Sequence, residues 1–234
     1  MYDFGIGYWG PLAMDVVWHE ALVGQLNRGI PPGNPGFAGQ LLTNYHYFYD
    51  LLVSAVHSLG VPLNFLIYRF FPVIFSILFG IGTYKLANVL FKDKKVSLFS
   101  VFFAYFGSSF GWIVDLVKGR EIGGESAFWA SQPVSMNLNP PFAISLIIII
   151  FTLLLVNSYL NKPKFIKAVI IIIFSGTLIG FKVYAGVILL FGLIVLGLKK
   201  LYFEKDAKVL LIAISSLLIS LAILLPQSKS ALGL

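Results

Sequence analysis

The stretch Phe65–Phe91, FLIYRFFPVIFSILFGIGTYKLANVLF, runs directly into Lys92-Asp93-Lys94-Lys95, and that junction decides the fold. A helix of roughly twenty apolar residues crosses a bilayer core of about 30 Å, and short basic loops stay on the cytoplasmic side. The same junction recurs twice along the chain. Ten of the 17 Lys and Arg residues fall in three clusters: Lys92, Lys94 and Lys95; Lys162, Lys164 and Lys167; Lys199, Lys200, Lys205 and Lys208. Each cluster borders an apolar stretch of spanning length. Five more, Arg28, Lys118, Arg120, Lys182 and Lys229, lie in the alternate connections, and Arg69 and Lys85 lie inside a helix. With the clusters inside, the first sixty or so residues face outward, and they hold all 3 histidines.

Composition supports that class. Hydrophobic residues make up 58% of the chain and charged residues only 12%, too few to cover a soluble domain of 234 residues. Solid apolar runs such as Ile144–Val156 stand where a membrane β-barrel would show short alternating strands. The expected fold is therefore all-α, a polytopic integral membrane helix bundle. The net charge of +7 is dispersed as membrane-flanking pairs and triplets, which is not the footprint of a nucleic-acid binder. The absence of cysteine excludes disulfides, thiolate metal sites and a cysteine nucleophile.

Working outward from Phe65–Phe91, charge logic predicts about six transmembrane helices within residues 65–226. The first is 65–91, and 96–117 returns outward to a loop over 118–140. Pro140-Pro141 suits a helix start, so the next span is 141–160. The stretch 165–203 is too long for one crossing at about 1.5 Å per residue. Gly180-Phe181-Lys182 divides it into 165–181 and 184–203, and 209–225 follows. No internal repeat is evident.

Residues 1–64 are expected to form an extracytoplasmic loop with two juxtamembrane helices on the outer surface, over about 12–28 and 44–60. His46, Asp50, Ser54 and His57/Ser58 recur every three to four residues, a polar stripe on one helical face, as in an interfacial helix. A crossing by 44–60 would reverse all three basic loops. Pro31-Pro32-Gly33-Asn34-Pro35-Gly36 forms a rigid connector between the two helices. Residues 1–11 carry Asp3 and no basic segment of a signal peptide. With no preceding helix to carry the outer segment across, Met1 is expected to be an internal methionine, and the chain a fragment of a longer protein.

Several stretches in order carry a resemblance: Asp15-Val-Val-Trp-His19-Glu20, Gly29-Ile-Pro-Pro-Gly-Asn-Pro35 with Gly39, Asn44-Tyr-His-Tyr-Phe-Tyr-Asp50, and a span ending Lys85-Leu-Ala-Asn-Val-Leu-Phe91. Over about residues 12–95 this order resembles the C-type (GT-C) polytopic glycosyltransferases, the mannosyltransferase-like or arabinosyltransferase-like members in particular. That resemblance implies an enzyme of the cytoplasmic (plasma) membrane. It would transfer a sugar from a polyprenyl-phosphate donor to a glycan, lipid or protein acceptor on the extracytoplasmic face. In that superfamily the first outer loop folds into two juxtamembrane helices and carries the catalytic acid, and Asp15 is the matching position. Two departures stand out: the span before the acidic loop is missing, and no Asp-x-Asp pair stands at Asp15. The second leaves dependence on a divalent metal, Mg or Mn, open.

Such a transfer needs a carboxylate to take the acceptor proton or hold a metal, and cationic or amide donors for the departing phosphate. Asp15 is the candidate carboxylate. His19, four residues on, shares its helical face and would orient it or join it as a metal ligand. His46 and Asp50 repeat that spacing on the second helix; if the two helices face each other, four ligand-type residues converge. His57 fits helix packing better than a site, and Glu20 points away from Asp15. The aromatic concentration of Trp9, Trp18, Tyr45, Tyr47, Phe48 and Tyr49 reads best as an interfacial belt, with sugar stacking as the sharper alternative. Lys182, alone at the tip of an outer hairpin, requires a partner or must snorkel, and a lipid phosphate is a natural partner. Arg120 is a further outward cation for the donor. Asp115 near Lys118, and Gln132, Asn137 and Asn139 before the proline pair, are weaker candidates. The competing functions are a transporter or flippase component, which would want charges at the bilayer midplane on broken helices, and a non-catalytic membrane scaffold.

Overall fold

The computed structural model describes residues 12–107, 111–119 and 132–227. Those residues are mostly helical, with residues 27–47 an irregular connector and no strand pairing among the described residues beyond a single bridge between Gly33 and Leu41. In chain order the helices are α1 (Leu12–Leu26), α2 (Phe48–His57), α3 (Leu63–Phe91), α4 (Lys94–Phe106), α5 (Gly111–Val117), α6 (Gln132–Leu138), α7 (Pro140–Asn161), α8 (Phe165–Phe181), α9 (Val183–Glu204) and α10 (Lys208–Gln227).

Local chemistry places their ends. Asp93 caps α4, its side chain accepting from the Lys95 and Val96 amides at 2.7 and 3.1 Å. Asn139 caps α7 by accepting from the Phe142 amide at 3.1 Å, with Pro140 and Pro141 occupying positions whose amides would lack partners anyway. Lys182 leaves the helical region between α8 and α9, with an extended backbone (φ −157°, ψ 116°). Within α3, Leu66–Phe70 forms a π turn just before Pro72, whose missing amide interrupts the regular ladder.

Four of these helices, α3, α7, α9 and α10, are long and apolar enough to cross a membrane, as in an integral membrane protein. Four of the six expected spans, 65–91, 141–160, 184–203 and 209–225, coincide with these helices. The stretch 96–117 is not one helix: α4 ends at Phe106, and Gly107 is extended with ψ 139°. At 13 residues, α4 covers about 20 Å, short of the bilayer core. A further apolar helix, α8, has 17 residues and is shorter than these four.

The core has two halves. Phe71, Phe75 and Phe79 of α3 pack with Ala143 and Ile147 of α7, and with Tyr49 and Val53 of α2. Val156 and Tyr159 of α7 pack with Leu178 of α8, Leu189 of α9 and Ile212 of α10. The three basic turns share one end of the bundle. Lys85 and Asn88 of α3 line the same groove as Leu154 and Ser158 of α7, so the turns that follow these helices are neighbours. Val209 shares a cluster with Tyr159, which brings the turn before α10 to the same end. At the opposite end, Asn44 donates its amide to the Gln227 carbonyl at 2.7 Å, and Lys182 meets Asn139.

Candidate functional site

The segment α1–α2 is built into that opposite end rather than resting on it. Leu22 and Leu26 of α1 pack with Leu42 and Tyr47, while Val16 and Val23 join Tyr49 and Val53 against α3. Two members of the polar stripe, Asp50 and Ser54, are buried against α1 and the turn that follows it. Ser54 Oγ donates to Asn27 Oδ1 at 2.6 Å, and His19 Nδ1 lies 2.7 Å from Asp50 Oδ1. The second helix expected over 44–60 is helical over Phe48–His57. Tyr47 and Tyr49 are core residues, 7% and 0% exposed, and not members of an interfacial belt. Trp9 lies outside the described residues.

The helix starts close to the Gly180 backbone. A Cβ at Gly180 would come within 2.6 Å of the Phe48 ring, so glycine lets the first turn of α2 press against α8. Phe48 also meets Phe181 edge to face, with ring centroids 5.7 Å apart. This contact brings residues 45–50 beside Lys182.

Neither i, i+4 pair of the sequence forms as expected. His19 pairs with Asp50 across the two helices, and the pair is nearly sealed, with His19 5% and Asp50 0% exposed. Nδ1 of His19 is engaged with Asp50 Oδ1, and Nε2 makes no part of that bond. Asp50 Oδ2 is buried without a hydrogen-bond partner. Burial holds the Asp50 carboxyl above its ordinary range, and the His19 hydrogen bond opposes that shift.

Asp15 remains exposed one turn before His19. His46 stacks flat on Tyr45, with centroids 5.0 Å apart and planes 8° from parallel. Burial, the Lys182 ammonium and His19 lower its imidazole to about 4, so it is neutral at physiological pH. Burial and the neighbouring Asp50 and Asp15 carboxylates push the Tyr45 hydroxyl up, and the adjacent Trp18 indole opposes that. Lys182 is half-buried; its ammonium donates to Asn139 Oδ1 at 3.2 Å and lies 5.6 Å from the Tyr184 ring centroid. Burial lowers its pKa, and the Asp15 charge opposes that.

Five of the six candidate residues therefore meet at one end of the bundle: Asp15, His19, His46, Asp50 and Lys182. Arg120 lies outside the described residues. The four-ligand metal cluster does not assemble, since no group of three or more His, Asp or Glu residues among the described ones could hold an ion. Asp15 and His19 alone are two ligand-type residues, too few to complete a site for Mg or Mn.

Beside the cluster is a cleft of about 180 Å³, lined by Tyr45, His46, Ile179, Val183, Leu224 and Gln227. Two helix amino-termini converge near it. Lys182 immediately precedes α9, and Asn139, which holds the Lys182 ammonium, caps α7. Asn139 was a weak sequence candidate because a loop asparagine is ambiguous; its position before Pro140-Pro141 was the available signal for a cap. No known protein family, curated protein or solved structure matches this chain.

Proposed function

We propose that this chain is a membrane glycosyltransferase that moves a sugar from a polyprenyl-phosphate donor to a hydroxyl acceptor. The α1–α2 end would face the extracytoplasmic side of the plasma membrane, with the basic turns inside. The observation that carries this reading is the setting of Lys182. An ammonium held at 3.2 Å from the cap of α7, and standing at the start of α9, joins one full and two partial positive charges. A phosphate at the membrane surface complements that site, and the half-apolar cleft beside it suits the first isoprenyl units of a carrier lipid.

In the proposed reaction the acceptor hydroxyl oxygen attacks the anomeric carbon, and its proton passes to the exposed Asp15 carboxylate. The bond from the anomeric carbon to the phosphate oxygen breaks, and its electron pair leaves with the phosphate. Lys182 stabilises the charge that develops there. Neutral His46, stacked on Tyr45, offers hydrogen bonds to the sugar without adding charge. The buried His19–Asp50 pair fixes α1 against α2 and so sets where Asp15 stands. A divalent metal, Mg or Mn, has no ligand set among the described residues, and no step is assigned to one.

The test is sugar transfer by the purified full chain in proteoliposomes, offered polyprenyl-phosphate hexoses and pentoses. Asp15→Asn should lower transfer by about 100-fold or more, with folding unchanged because the residue is exposed. Full activity in Asp15→Asn removes the base assignment. No transfer from any donor by the unmodified chain removes the enzymatic reading and favours a transporter component or a scaffold.

A further inference from the structure

At the lysine-rich end a second cavity lies apart from the site above. α3 and α7 touch at Gly82, where a Cβ would fall 2.8 Å from Ile150 Cγ2, and beyond this point a groove of about 420 Å³ opens between them. Its wall is apolar at Phe151, Leu154 and Leu155, and polar at Lys85, Asn88 and Ser158. Lys85 is exposed and makes no ion pair among the described residues. A second ammonium stands at the rim: Lys167 Nζ donates to the carbonyls of Ser158 at 2.7 Å and Lys162 at 3.0 Å.

We propose that this groove binds an anionic glycerophospholipid, its phosphate between Lys85 and Lys167 and an acyl chain along Phe151, Leu154 and Leu155. Charge selects the occupant. The turns flanking the groove add Lys92, Lys94, Lys95, Lys162 and Lys164, against one acid, Asp93, whose carboxylate is engaged as a helix cap. A zwitterionic lipid brings a cationic headgroup into that field, whereas an anionic one does not. Depth is consistent as well. Lys85 precedes Lys92 by seven residues, roughly 10 Å along the helix, and a lysine side chain extends toward the headgroups while its stem covers apolar surface. The proposal is independent of the glycosyltransferase reading, since it involves none of the same residues.

The experiment exchanges the full chain into nanodiscs of equimolar phosphatidylcholine and phosphatidylglycerol, then measures by mass spectrometry the lipid retained after mild detergent extraction. Phosphatidylglycerol should be enriched about fivefold or more over phosphatidylcholine, the factor expected of one lysine facing an anionic headgroup. Lys85→Gln should reduce the enrichment about fivefold, toward the bulk ratio, and Lys85→Glu should reverse it in favour of phosphatidylcholine. Filling the groove with Leu154→Trp should release the lipid while leaving every lysine in place. Lys199→Gln, at the same end but on α9, should change little. Retained lipid matching the bulk mixture overturns the proposal. So does unchanged enrichment in Lys85→Glu, or an equal loss in Lys199→Gln, which would make the effect a diffuse property of the basic surface.

Discussion

The two ends of the bundle treat polar groups in opposite ways. At the lysine-rich end most charges reach solvent and their partners are local: Lys200 meets Glu204 one turn on at 2.6 Å, and Lys208 lies 3.8 Å from Asp206. At the other end the partners come from far along the chain. His19 and Asp50 are 31 residues apart and buried, and Lys182 reaches Asn139 across 43 residues. Exposed local pairs contribute little and are screened by salt. Buried long-range pairs cost desolvation and persist only where the surrounding packing holds both members. The first kind reports how the chain is threaded; the second kind marks where a chemical site can be held in place.

The comparison would break most visibly at Asp50. Asp50→Ala leaves the His19 ring buried without its partner, and should cost about 3–5 kcal/mol of stability. Loss of the detergent-solubilised fold, or a fall in Tm of several degrees, is the expected result. His19→Ala should act similarly, and the double variant should cost less than the sum of the two single changes. Additive effects would mean that the pair is not energetically coupled.

A smaller effect comes from pH. His46 takes a proton near 6.5 in the unfolded chain and at about 4 in the folded one. As pH falls from 6.5 toward 4 the unfolded chain binds the proton first, so stability is lost across that window. His46→Gln should flatten this part of the Tm against pH curve, and an identical slope in the variant would contradict the burial of the ring. Least of all should happen at the other end. Lys200→Ala removes an exposed pair and is expected to shift stability by at most about 0.5 kcal/mol. A larger loss there would erase the contrast between the two ends.

The helical class was legible because an apolar run ending in lysines has few other solutions. The break inside 96–117 was not legible because its composition is apolar on both sides of Gly107, where the backbone leaves the helical region. The cluster at the α1–α2 end was legible as a set of residue types, but its pairing was not. Periodicity ranks neighbours on one helix, so His19 was matched with Asp15 and His46 with Asp50. The actual partner of His19 depends on how α1 crosses α2, and the start of α2 is itself set by the Gly180–Phe48 contact with α8. The same gap explains the burial of Asp50 and Ser54. A polar stripe on a helix reads equally as a wet face or as a face turned to a polar neighbour, and Asn27 and His19 supply that neighbour.

The central claim is that Lys182, set between two helix starts, holds the phosphate of a polyprenyl carrier. Binding of a polyprenyl phosphate to the full chain, followed by native mass spectrometry in the unmodified protein and in Lys182→Ala, tests it most directly. Affinity should fall by about tenfold or more when the charged hydrogen-bond donor is removed. Equal binding by both proteins would contradict it.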